Sequence, residues 1–295
     1  MKILNVALIG RGYWGLKLEK YIKKDSRLHL VVVCDVKSDL NKEIYKNPNI
    51  EAVFVATPNK THYHIVKNIL INKKHVMCEK PLALTKKECL ELETLALKQH
   101  IVLCVDYTHT FSDALHLARK LIQKGALGKI QGIEMRMKQL GPFDRENVYW
   151  LSASHMLAIL DMFVPLKKLR FYKKDMVISK RKTETGVIHF AGRSVNGEIF
   201  VSLNDPRKER MVTLYGERGV MIYEALAAKP LQLITYKRFS GMASSLVSSK
   251  YFAFDELHNI KHAVEYFYNA IKKKGETNIK RAVLVTEILE DLHTT

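Results

Sequence analysis

The sequence predicts an α/β protein whose first half is a doubly wound parallel sheet and whose second half is a separate, strand-rich α+β unit. Three observations carry this expectation. From Ile3 to Asp106, short apolar runs rich in β-branched residues alternate with longer stretches of helical spacing. Continuous runs of this kind belong to parallel strands covered on both faces. A glycine cluster, Gly10-Arg11-Gly12-Tyr13-Trp14-Gly15, falls between the first run and the first helical stretch. From QGIEMRMKQL to LQLITYKRF the chain offers strand-like segments separated by turn residues.

In order, the first-half strands are ILNVALIG, LHLVVVCD, AVFVATP, HVMCE and IVLCVD, and LKLEKYIKK carries the helix after the glycines. A helix-and-turn stretch, FSDALHLARKLIQKGALGKI, leads out of this half. The second half offers QGIEMRMKQL, GVIHFAG, EIFVSLN, MVTLYG, VMIYEAL and LQLITYKRF as strands. Helices over Glu256 to Lys274 and Ile279 to Leu292 close the chain. There is no internal repeat and no low-complexity linker.

Composition narrows the function classes. With 295 residues, 47% of them hydrophobic, the chain can bury the cores of two ordinary domains. No apolar run approaches the roughly 18 residues that span a bilayer, and MKILNVALIG enters a strand pattern without a cleavage-site composition, so a soluble cytoplasmic chain with no membrane partner is expected. Cys34, Cys78, Cys89 and Cys104 form no CxxC pair and sit in apolar settings, which favours buried free thiols over disulfides or zinc. The formal charge of +18 is dispersed in short lysine runs beside turns and on helix faces. Without an aromatic-interleaved basic stripe, it describes a solvated surface rather than a nucleic-acid interface.

The glycine cluster is a GxGxxG, weak evidence alone and strong between a strand and a helix. Gly10 makes the tight turn, Gly12 lets backbone approach a pyrophosphate, and Gly15 lets helix pack on strand, with Tyr13 and Trp14 alongside. The positive end of the helix then faces the phosphates. The second strand ends at Asp35, twenty positions after Gly15, where a carboxylate can accept hydrogen bonds from a ribose 2′-hydroxyl. Its charge favours NAD over NADP, although Lys37 and Ser38 could neutralise a 2′-phosphate. The third strand ends at Thr57-Pro58-Asn59 with His62 following, and the fourth at Glu79-Lys80-Pro81. Ligands of open α/β sheets bind at such carboxyl ends.

With these residues in hand, the chain resembles the glucose-fructose oxidoreductase, inositol dehydrogenase and MocA family of nicotinamide-dependent sugar and cyclitol oxidoreductases. The resemblance rests on GRGYWG, VATPNKTHYHI, EKPLALT, FSDALHLARKLIQKGALGKI and SLNDPRKERMVTLYGERGVMIYE, in that order along nearly the whole chain. RMKQLGPFDRENVYW and NDPRKER look closest to members that act on nucleotide-linked amino sugars or uronic acids. The resemblance implies a Rossmann domain at 1–125 and, at 126–295, a substrate-binding and oligomerisation domain built on a large, open, mostly antiparallel sheet, in a dimer or tetramer. It also places the family's catalytic lysine at Lys80.

Hydride transfer from a secondary alcohol needs a base and a cation near the oxygen as its proton leaves. Lys80 and His155 are the candidates. The family carries aspartate, three residues, histidine, aspartate at this helix, whereas this chain has Leu151-Ser152-Ala153-Ser154-His155-Met156, so the histidine remains and both aspartates are gone. If Ser152 caps the helix, its dipole would keep His155 neutral and ready to accept a proton. Core filling is the alternative for a histidine on an apolar face. A protein that binds the cofactor without turnover, as a sensor or partner subunit, is the alternative for the whole, because Leu151 cannot replace a charge. Tyr107, His109, Arg136, Asn147, Trp150 and Arg207 are candidates for the substrate pocket. His62, His64 and His109 lack metal-site spacing, so no metal is expected.

Overall fold

The computed structural model describes residues 3–35, 39–143, 146–237, 245–273, 275 and 277–294. Lys37 and Ser38 lie outside them. The chain divides into two compact units, Met1–Thr108 with Ile260–Asp291, and His109–Asn259 with Leu292–Thr295.

The first unit holds β1 (Leu4–Ile9), α1 (Tyr13–Lys24), β2 (Leu28–Cys34), β3 (Ala52–Val55), α2 (Asn59–Ile71), β4 (His75–Glu79), α3 (Lys86–Gln99) and β5 (Leu103–Asp106). The five strands form a parallel sheet in the order β2-β1-β3-β4-β5. Every residue of β3 and β5 is buried, as the apolar runs AVFV and LCV require, and Asp106 at the end of β5 is buried with them. Burying each Val, Leu or Phe side chain contributes about 1.5–3 kcal/mol, enough to fix strands this short. Strand order reverses between β1 and β3, and at such a switch point the carboxyl ends open into a crevice.

The second unit contains α4 (Asp113–Gln123), β6 (Ile130–Leu140), α5 (Ser154–Leu160), β7 (Arg170–Ser179), β8 (Lys182–Ala191), β9 (Asn196–Ser202), β10 (Asn204–Gly216), β11 (Gly219–Glu224), β12 (Leu231–Lys237) and β13 (Ser245–Phe252). Its described strands form an eight-stranded sheet, β13-β12-β11-β10-β6-β9-β8-β7, antiparallel except between β6 and β9. The expected α/β class, a parallel sheet followed by a mostly antiparallel one, is what the chain forms. Two strands that the sequence does not announce, β7 and β13, are the two edges.

The final helices, α6 (Asn259–Lys273) and α7 (Ile279–Thr294), are where the sequence places them, but they return to the first unit. Phe267 packs edge-on against Phe54 of β3, ring centroids 5.2 Å apart. Asn278 donates to the Val105 carbonyl at 2.7 Å and accepts the Val105 N–H at 2.9 Å, closing the outer edge of β5 as a neighbouring strand would. Thr286 meets Cys89, and Glu287 and Glu290 meet Lys86 at the start of α3. The two units therefore differ from the expected 1–125 and 126–295. The chain crosses at Thr108, and α6 with most of α7 covers the parallel sheet.

Candidate cofactor site and the second-unit histidines

The glycine turn has three glycines with three different reasons. Gly10 has φ +95° and donates its N–H to the Cys34 carbonyl at 2.8 Å; a Cβ there would collide with the carbonyl oxygen of Ala56. Gly15 sits in α1 against Gly10, whose carbonyl oxygen a Cβ would strike. Both are required by the protein's own packing. Gly12 is not: its backbone is extended, and a Cβ would meet no atom within 4 Å. Space kept open at the N-terminus of α1, with no acidic residue in the first turn, is what an approaching phosphate needs. The turn therefore fits a dinucleotide pyrophosphate.

Around this turn the other expected residues are ordered by strand ends. Asp35 follows β2 directly and is exposed. Tyr13 is 71% exposed and Lys17 lies over its ring, 4.1 Å from the centroid. Trp14 is largely covered, with its indole N–H buried and without an acceptor among the described residues. Thr57 accepts the Thr61 hydroxyl at 2.7 Å, and Pro58 and Asn59 begin α2.

His62 is committed elsewhere. It is fully buried, with Nδ1 2.7 Å from the Pro81 carbonyl oxygen and Nε2 2.8 Å from that of Thr57. Burial is the largest influence and lowers its pKa; the two carbonyls oppose this, and the Lys80 ammonium adds to the lowering. A neutral ring donates to one carbonyl and an imidazolium to both. Either way the side chain fastens the third-strand turn to the turn bearing Lys80, rather than touching a ligand of its own.

Glu79 and Lys80 end β4, partly exposed, and the Lys80–Pro81 peptide is cis. Opposite Glu79 in the parallel register stands Asp106, the last residue of β5, at 1% exposure. Burial pushes the Asp106 carboxyl up to about 6, with the Thr108 hydroxyl bond and then Glu79 lowering it. Glu79 is also raised, first by burial and then by the charge of Asp106, with Lys80 pulling it back. Asp106 is absent from the sequence-derived candidates. Its signal was two adjacent strands each ending in a carboxylate, legible only once β4 and β5 are known to be neighbours.

In the second unit, His109 lies on the 3₁₀ turn Thr108–Phe111, and its ring meets that of His155 edge-to-face, centroids 4.8 Å apart. Two candidates chosen separately thus come together. His155 is partly exposed, while Ser154 and Met156 through Leu160 around it are buried, which is not the pattern of core filling. Ser152 does not cap this helix. It is buried within a π-helical turn, Tyr149–Ala153, that runs straight into α5, and Ser154 bonds back to the Trp150 carbonyl at 2.8 Å. The cap is Asn147, whose side chain accepts the Tyr149 N–H at 3.0 Å. The helix therefore starts about two turns before His155, beyond the first turn in which a helix dipole acts strongly.

The remaining pocket candidates are occupied or partly covered. Arg136 is ion-paired with Glu134 on its own strand face. Arg207, its side chain 82% exposed, pairs loosely with Asp205 at 3.5 Å. Trp150 is partly exposed and Tyr107 fully buried. Beside Arg207 lies a cation the sequence does not flag: Lys138, side chain 7% exposed, lies 3.0 Å from Asp205 and 2.8 Å from Glu209. No cluster among the described residues could hold a metal, and none of their helices is long and apolar enough to cross a membrane. The four cysteines are buried and none forms a disulfide.

Comparison with known proteins agrees with this geometry. Residues 4–107 match the GFO_IDH_MocA family, an oxidoreductase family described by its NAD-binding Rossmann fold. The 2,7-anhydro-N-acetylneuraminate hydratase of Mediterraneibacter gnavus is 31% identical over 144 residues, 44% of this chain and 38% of that protein. A 1-carboxy-3-chloro-3,4-dihydroxycyclohexa-1,5-diene dehydrogenase of Comamonas testosteroni is 32% identical over 146 residues, 44% of this chain and 37% of that one. The aligned stretches thus span well under half of these curated relatives. Over the full chain the fold matches GenD2 of gentamicin A biosynthesis, solved with NAD, at TM-score 0.85 and 18% identity, covering 100% of this chain and 94% of that one. It also matches KijD10, a 3-ketoreductase of Actinomadura kijaniata solved with NADP and TDP-benzene, at TM-score 0.83 and 11% identity, covering 99% and 98%.

Proposed function

We propose, from the premise that residues 4–107 are the NAD-binding Rossmann domain of the GFO/IDH/MocA oxidoreductases, that this protein moves a hydride between a nicotinamide cofactor and a secondary hydroxyl of a sugar or nucleotide sugar. The observation that carries the reading is Gly12, whose open side neither the backbone nor the packing of the protein requires. When bound, NAD(P) supplies the hydride acceptor. Gly10, Gly12 and Gly15 with the first turn of α1 hold its phosphates, and Asp35 accepts from the ribose. Lys80 holds the substrate oxygen and stabilises its developing negative charge as the hydroxyl proton leaves. His155, braced by the edge of His109, is the proton-accepting group of the second unit. The relatives' names, a hydratase and a dehydrogenase, fit an oxygen-bearing ring carbon as the reacting centre.

A second reading, cofactor binding without turnover, has one specific observation in its favour. At the positions where the family pattern has aspartates, Leu151 carries no charge and Met156 is buried in the core at 1% exposure. A screen of sugars and nucleotide sugars for NADH formation separates the two, using wild type and Lys80→Ala. Turnover that falls by about a hundredfold or more in the variant, with NADH affinity nearly unchanged, supports the enzyme reading. Normal turnover by Lys80→Ala sinks the role of Lys80, and NADH binding with no turnover of any substrate supports the second reading.

A further inference from the structure

We infer that Asp106 is a positioning residue for Glu79, the two carboxyls sharing one proton at the carboxyl end of the parallel sheet so that they set a single negative charge beside Lys80. The role toward a cofactor rests on the reading above; the shared proton does not.

The register places the two residues opposite one another on hydrogen-bonded parallel strands, where side chains leave on the same face. Each of the two buried carboxyl groups influences the ionisation of the other. Asp106 Oδ1 accepts the Thr108 hydroxyl at 2.9 Å. Asp106 Oδ2 and Glu79 Oε1 are each shut off from solvent and take no donor among the described residues. Two ionised carboxylates are acceptors only, so this placement would set like charges together and leave both oxygens unsatisfied. A single proton between them turns the repulsion into a hydrogen bond and satisfies both.

The two members are not equivalent. Asp106 is closed from solvent, whereas Glu79 keeps partial exposure, so Glu79 is the one able to meet a ligand and Asp106 acts only through it. The other titratable groups interacting with the pair are few. Lys80 follows on the same chain and favours ionisation of Glu79. On the buried side is the Cys78 thiol, kept protonated chiefly by burial and then by Glu79, with Cys89 of α3 also opposing its ionisation. With one cation and one shared proton, the pair stays singly charged across neutral pH. Losing that proton doubles the negative charge next to Lys80.

The test has two arms. In the apo protein, carboxyl carbons of Glu79 and Asp106 are followed by 13C NMR from pH 4 to 9, in wild type and in Asp106→Asn. The expected result is a proton retained by the pair through neutral pH and released above it. In Asp106→Asn, whose amide can donate to Glu79, Glu79 titrates at least one pH unit lower. If both wild-type carboxyls titrate below pH 5, or if Asp106→Asn leaves Glu79 unmoved, the shared proton is overturned. The wild-type titration decides this even if the variant does not fold. In the second arm, calorimetry measures NADH affinity over the same range. An affinity that changes several-fold across the pair's titration in wild type and is flat in Asp106→Asn supports the positioning role; a flat wild-type profile overturns it. Absence of NADH binding at every pH defeats the cofactor reading and the positioning role with it, while the apo titration still decides the shared proton.

Discussion

The two units handle their polar residues in opposite ways. In the first, the residues that matter lie at strand ends and within a few positions of one another: the glycine turn after β1, Asp35 after β2, Thr57 after β3, Glu79 and Lys80 at the end of β4. Gly12 is left with open space and Asp35 with exposure. In the second, charged residues are spread along long strands and pair among themselves, as Arg136 does with Glu134 and Lys138 with Asp205 and Glu209. A parallel sheet collects its ligand groups at one edge by topology. A long antiparallel sheet spreads them over a face, where neighbouring strands neutralise them. This is why a short motif identifies the first unit and no short motif identifies the second.

The comparison can be broken at three levels, beginning with the largest effect. Gly15→Ala forces a Cβ onto the Gly10 carbonyl oxygen, contact between two backbone segments that cannot turn aside. A loss of about 3 kcal/mol or more in urea unfolding is expected; an unaltered midpoint would mean that the turn is looser than this packing implies. Lys138→Met leaves Asp205 and Glu209 facing each other without their cation. Because both carboxylates keep some exposure, a small loss of stability is expected, less than for a fully buried pair. A neutral result would remove Lys138 as an organiser of the second sheet. Asp35 is exposed at the end of β2, and for Asp35→Ala about a tenfold weakening of NADH binding with NADPH less affected is expected by calorimetry. Equal losses for both would show that Asp35 does not contact the ribose.

The legibility of the fold follows the same division. β1, β3, β4 and β5 were readable because each is an apolar run buried through its centre, and β2 because its run LHLVVVC is apolar but for His29, although it is buried only at Leu28 and Cys34. β7 and β13 were not, because edge strands such as Arg170–Ser179 and Ser245–Phe252 are exposed over most of their length and carry no apolar alternation. α6 and α7 were readable as helices, but an amphipathic stripe does not state which sheet it will cover, and they return to the first unit. Within the candidate sites, the glycines follow one another in sequence and were found. Asp106 needed knowledge that β4 and β5 are neighbours. Ser152 was misplaced as a cap because a π-helical turn carries the helix back to Asn147, something no residue type between Val148 and Ala153 announces. His109 and His155 were each singled out, but their contact is between residues 46 positions apart and became visible only in the structure.

The central claim is that the space beside Gly12 is kept for a dinucleotide. The measurement that tests it most directly is a calorimetric titration of NADH and NADPH into wild type and Gly12→Ala, with the thermal midpoint of each protein recorded. Binding by wild type, its loss or severe weakening in Gly12→Ala, and equal thermal midpoints are expected, because the added methyl group meets no protein atom within 4 Å. Unchanged affinity in Gly12→Ala, or no binding of either cofactor by wild type, would contradict it.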